Sequence, residues 1–220
     1  MRVPFQVNNA LNQLIYYLVS LLYTVPVLLI AFPVHECAHG WVAYRLGDDT
    51  AKRAGRLTLN PFRHLDFWGT ICLVVARFGW AKPVPINPYN FRDRKAGMAI
   101  TALAGPFSNL IMAFLSLLLL RLFALLTSVP AVAAGILTNL LLVSAEINAG
   151  LFVFNLIPVP PLDGSRILAI FLPDRVEEAF YRYGSLPAML LVFLFWRYIS
   201  APVNQMVTNV LGHMTSLLRF

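Results

Sequence analysis

The chain has 220 residues, 59% of them hydrophobic and 12% charged, with 17 Lys and Arg against 10 Asp and Glu. Soluble domains carry about 25% charged residues, and the mean hydropathy here is +0.70, which excludes a disordered chain, a coiled coil and an ordinary water-soluble enzyme. The two cysteines, Cys37 and Cys72, do not make a secreted disulfide framework. Most of the basic residues lie between Arg45 and Lys95, and only Arg121 lies between Ala96 and Gly164. That distribution follows the positive-inside rule for a cytoplasmic loop, so the net charge of +7 points to the lipid bilayer and not to nucleic acid. The length fits one membrane domain, 1–220.

Leu11 to Leu46 is apolar and longer than the about 20 residues one perpendicular span needs. Pro26 and Pro33 are expected to kink or split it, and Gly47-Asp48-Asp49 to end it. Only Arg2 is basic before it and no small-residue cleavage site follows, so it reads as retained rather than removed. Thr50 to Asp66 is polar and basic and reads as short strands and turns. Phe67 to Trp80 is apolar but short, interrupted by Gly69, Arg77 and Gly79, which favours a re-entrant or interfacial piece. Ala81 to Arg94, with Pro83, Pro85 and Pro88, is a loop.

Gly97 to Thr127 is a second apolar run, with Gly105-Pro106 near its start, and Ala131 to Ile157 is a third. The third ends in Asn155-Leu156-Ile157-Pro158-Val159-Pro160-Pro161-Leu162-Asp163-Gly164, where prolines forbid regular helix. After a polar stretch, Leu186 to Ser200 and Ala201 to Leu218 are weaker apolar segments. The expectation is an all-α polytopic membrane protein with roughly four to six crossings. There is no internal repeat.

The first constellation able to do chemistry is His35-Glu36-Cys37-Ala38-His39. Four residues apart on a helix, both imidazoles face the same way and can meet one metal ion. The glutamate beside the first can take a proton from water. Within an apolar helix each such charge costs several kcal/mol unless paired or coordinated. A catalytic zinc takes three protein ligands and keeps one position open. Val42 and Arg45 stand where a metzincin would have Gly and His, and no glutamate follows before Glu146, so the soluble continuations fail. The candidates for the third ligand are Asp48, Asp49, His64, Asp66 and Asp163. Asp48 and Asp49 read as helix-end surface residues. Asp163 sits in a helix interruption beside an apolar span, where irregular backbone is tolerated only if it lines a buried or wet cavity.

These residues resemble the site-2 proteases, zinc metalloproteases that cut substrate helices within the membrane. The resemblance lies in His35 to His39, in Gly55-Arg56-Leu57-Thr58-Leu59-Asn60-Pro61 with His64-Leu65-Asp66, in Ala104-Gly105-Pro106-Phe107-Ser108-Asn109, and in Asn155 to Gly164. It spans residues 33 to 170, and the chain is similar to a short prokaryotic-type member without room for a PDZ or CBS domain. The resemblance implies one zinc per chain, held by His35, His39 and Asp163. It implies Glu36 as general base and Asn155 as the group that stabilises the transition state or orients substrate. It implies a membrane-dipping β-hairpin over residues 55–66 beside the site, and substrates that are transmembrane-helix proteins of the cell membrane. With the basic segment cytoplasmic, the site opens towards that face. Cys37 stands where a bulky apolar residue is commoner and reads as a small buried hydrophobe.

Two other classes put similar residues in a membrane. A metal transporter would show paired sites in repeated halves, and none is seen. A catalytically silent binding module would lack the base or a ligand, and Glu36, both histidines and Asp163 are present. Of the rest, His64 reads as a loop residue bonded to backbone, Glu146 as interfacial or at a helix end, and Arg121 as snorkelling. Trp41, Trp68, Trp80 and Trp196 suit interface belts or packing.

Overall fold

The first apolar run folds as a single helix, α1 (Pro4–Arg45), and neither Pro26 nor Pro33 splits it. Pro33 is fully buried, where neighbouring helices support the turn it weakens. The computed structural model describes residues 4–76, 79–126 and 129–219; Arg2 and Arg77 lie outside the described residues. Among the described residues seven further α-helices follow: α2 (Thr50–Arg53), α3 (Phe67–Ala76), α4 (Arg94–Phe123), α5 (Ala131–Asn155), α6 (Asp163–Leu168), α7 (Asp174–Leu194) and α8 (Trp196–Leu218). The Asp93 carboxylate starts α4 by accepting the Ala96 N–H at 3.0 Å.

Helix α4 is the hub, packed against α1, α5, α6 and α8. Small side chains let these helices approach closely: Ala113, Ala145 and Ala149 are buried with Leu117 and Met214 where α4, α5 and α8 meet, and Ala31 and Ala102 are fully buried on α1 and α4. The outward faces stay apolar, with Leu22 and Val132 largely exposed, as lipid contact requires. Three helices among the described residues are long and apolar enough to cross a membrane, within Leu11–Arg45, Arg94–Phe123 and Ala131–Asn155. That is fewer than the four to six expected from sequence. Helix α3, at 10 residues, is about 15 Å long and reaches half the thickness of a bilayer core of about 30 Å.

The expected β-hairpin over residues 55–66 is not formed: no strand occurs among the described residues, and a lone bridge joins Leu65 to Ala81. The physical reason is local. The Asn60 side chain accepts the Phe62 N–H at 3.1 Å and Pro61 opens a 3-10 turn, Pro61–Arg63. The N–H groups of His64 and Leu65 then bond back to the Pro61 carbonyl, and His64 Nε2 takes the Thr58 carbonyl at 2.8 Å. The groups a ladder would use are thus committed within the loop.

Asp48 also departs from expectation. It is fully buried, not a surface residue. Its carboxylate accepts from the Thr50 hydroxyl, from the Asn87 N–H at 2.7 Å and from the Asn90 amide at 2.7 Å. Burial pushes the carboxyl up, but these bonds outweigh it and hold it below the usual aspartate value. Asp48 thereby ties the end of α1 to the 87–90 turn. Asp49 pairs with Arg53 instead.

Candidate active site

Helix α1 places His35 and His39 one turn apart, and α6 brings Asp163 to them from the other end of the chain. Asp163 Oδ2 lies 3.2 Å from His35 Nε2 and 3.2 Å from His39 Nε2, and the two Nε2 atoms are 3.0 Å apart. The rings meet edge to face, at 86°. Gly105 on α4 makes room for them: a Cβ there would stand 2.3 Å from His39 Nε2 and 2.5 Å from His35 Cε1. Gly164 serves the carboxylate similarly, since a Cβ would lie 2.3 Å from the Leu156 carbonyl. The proline-rich turn can therefore fold tightly into α6.

The hydrogen bonds behind the rings fix the tautomer that each neutral ring adopts. The Ser144 main-chain carbonyl can only accept, so Asn148 presents Nδ2 to it, at 2.9 Å, and turns Oδ1 outward. Asn109 donates Nδ2 to that oxygen at 2.9 Å and in turn offers Oδ1 to His35 Nδ1, at 2.6 Å. His35 must then carry its proton on Nδ1. His39 Nδ1 faces the Thr101 carbonyl at 2.7 Å and carries its proton there too. In neutral imidazoles both Nε2 lone pairs consequently point at Asp163.

With both rings neutral, two ring nitrogens and a carboxylate oxygen thus converge with no donor among them. Asp163 Oδ2 is buried and has no hydrogen-bond partner. Such a cluster is repulsive unless a cation joins it, and two imidazoles with one carboxylate are a donor set that suits zinc. His35, His39 and Asp163 form the group among the described residues able to hold a metal ion.

The other expected residues are placed differently. Glu36 Oε2 accepts the Val84 N–H at 2.7 Å, which leaves Oε1 unbonded to protein among the described residues. Asn155, at the end of α5, donates its amide to the Leu151 carbonyl at 3.0 Å and makes no hydrogen bond to the cluster. Cys37 is half-buried and outside the metal-capable group. His64 is buried in its loop, and Asp66 accepts the Gly69 N–H at 2.8 Å at the start of α3. Glu146 sits well inside α5 on its exposed side, not at a helix end. Sequence reasoning assigned no role to Asn109, Asn148 or Thr101. A signal existed for the first two, since amides within apolar helices need partners.

A membrane helix bundle with a buried His-Glu-x-x-His turn and a distant aspartate defines a metallopeptidase class, and the comparisons agree. The model of Peptidase family M50 matches residues 123–195, which hold Asn155 and Asp163 but not the histidines. The chain is 42% identical over 188 residues to a Bacillus subtilis protein named "Putative zinc metalloprotease YwhC", covering 84% of this chain and 85% of the relative. It is 32% identical over 157 residues to "Putative zinc metalloprotease Rip2" of Mycolicibacterium smegmatis, covering 69% of this chain and 58% of the relative. The Mycobacterium tuberculosis protein of the same name is 30% identical over 172 residues, 76% of this chain and 64% of its own length. The chain belongs to peptidase family M50. No solved structure matches it significantly.

Proposed function

We propose that the chain is an intramembrane zinc metalloprotease, one domain over 1–220 in a prokaryotic cell membrane. Its substrates are membrane proteins cut within or near their transmembrane segments. His35, His39 and Asp163 hold one zinc ion. The observation that carries this reading is the convergence of three acceptor atoms, on rings whose protons are fixed on the far nitrogen. When bound, the ion acidifies coordinated water and polarises a carbonyl.

The chain's own residues supply the rest. Glu36 takes a proton from the attacking water at the free Oε1 and passes it to the leaving amine, while the Val84 N–H holds Oε2 in place. Asn155 gives its amide to the developing oxyanion after releasing the Leu151 carbonyl, a contact worth about 3–4 kcal/mol in characterised proteases. The basic 45–95 segment supports an opening on the cytoplasmic side. A substrate helix hides its peptide bonds in i to i−4 hydrogen bonds, so it must unwind locally, which Gly or Pro near the cut makes easier.

The test is Glu36→Gln with a co-expressed membrane substrate. Cleavage should fall by about 10²–10⁴-fold while zinc stays near one per chain. Full activity in the variant removes Glu36 from the role of base.

A further inference from the structure

A polar pocket of about 360 Å³ lies between residues 54–65 and 82–85, apart from the metal-capable group. Arg56, Arg63 and Lys82 line it, with Phe62 and Leu65 in the wall, and among the described residues no carboxylate does. Among the described residues none of the three cations is paired with an acidic group, although Arg53, Arg94 and Lys95 all are. Arg56 is the telling member. It is 8% exposed, its Nη2 donates to the Lys82 main-chain oxygen at 2.6 Å, and its buried Nε has no partner. A guanidinium taken out of water without a counter-charge is costly, and two more cations at the same pocket raise that cost. The ligand that resolves this is an anion, and a phosphate oxygen pair matches the guanidinium fork.

The surroundings select the source of the phosphate. Phe62, at the rim, is 80% exposed, and Leu59, Phe67 and Trp68 on the same stretch are each more than 60% exposed. Exposed aromatic rings beside Lys and Arg are the composition of a membrane–water interface, and basic pockets at that level take lipid head groups. A free phosphate has no use for such a rim. We propose that Arg56, Arg63 and Lys82 form a binding site for the phosphodiester head group of an anionic phospholipid, with the acyl chains lying along Phe62 and its neighbours.

The pocket shares a wall with the active site. The Lys82 N–H donates to the His64 carbonyl at 2.8 Å, and two residues on, the Val84 N–H meets Glu36. A head group held on the Lys82 side chain therefore anchors the segment that positions Glu36.

The experiment is native mass spectrometry of the full chain from micelles doped with equal phosphatidylglycerol or phosphatidylcholine. One phosphatidylglycerol should be retained per chain, with about tenfold tighter binding than phosphatidylcholine. Arg63→Gln with Lys82→Gln should reduce it to the phosphatidylcholine level. Both side chains are exposed and the Arg56 contact uses Lys82 main chain, so this variant keeps the loop, and an unchanged melting curve checks that. Equal retention of the two lipids, or equal retention by variant and wild type, overturns the proposal. Displacement of the lipid by an equal concentration of inorganic phosphate reassigns the pocket to a soluble anion. Binding of an acidic peptide in place of phosphatidylglycerol assigns it to a protein, and either result overturns the lipid site.

Discussion

The two polar centres of this protein are built with opposite charge logic. At the His35–His39–Asp163 centre, acceptors crowd together inside a helical bundle, and each ring is braced from behind by a hydrogen bond. At the Arg56–Arg63–Lys82 centre, donors crowd together in irregular chain, with one main-chain oxygen as support. The helices can assemble acceptors because their backbone groups are already satisfied, so side-chain bonds are left over to orient the cluster. The loop has no such reserve, because the side chains of Asn60 and His64 complete its own turns. A preorganised centre suits an ion with fixed geometry, and a looser one suits a ligand that brings its own shape.

Three perturbations sharpen that contrast. The largest effect belongs to Asp163→Ala, which removes the anionic acceptor. Bound zinc and peptidase activity should both be lost, and metal analysis of the purified variant decides it; zinc held at wild-type affinity would shift attention to another ligand. Next is Asn148→Ala, which touches neither ring but ends the chain of bonds that fixes the His35 proton. Metal affinity should fall about 10–100-fold with helix content unchanged. A wild-type affinity in a zinc titration would reduce the amide chain to packing.

The smallest effect is Asp48→Ala, at about 1–3 kcal/mol of stability from its lost buried bonds. Because folding lowers this carboxyl, its contribution is fully present above the unfolded value and is lost as pH falls through the lower folded one. Melting curves in detergent at pH 7 and at acid pH should therefore converge for wild type and variant on the acid side.

Much of the metal-capable centre was legible because it follows from helix periodicity. A spacing of four puts His35 and His39 on one face, and a carboxylate after a proline-broken turn has few other reasons to sit beside an apolar helix. The buried amides were not legible as a pair, since Asn109 and Asn148 lie on different helices and only packing reveals that they meet. The 55–66 stretch misled because the hairpin there was implied by the resemblance alone, while the deciding bonds are made by the Asn60 and His64 side chains. Asp48 misled for the opposite reason. A residue after a helix end is normally solvated, and its burial depends on a turn some forty residues away.

The Val84 contact with Glu36 has a consequence for how this protein tolerates change. Val84 lies between Pro83 and Pro85, neither of which has an N–H to give, so the peptide link at 84 is the sole main-chain donor of that triplet. The grip on Glu36 is therefore a main-chain contact, while the Val84 side chain is buried in the core. A third successive proline would erase it while leaving every acidic and imidazole group in the protein untouched.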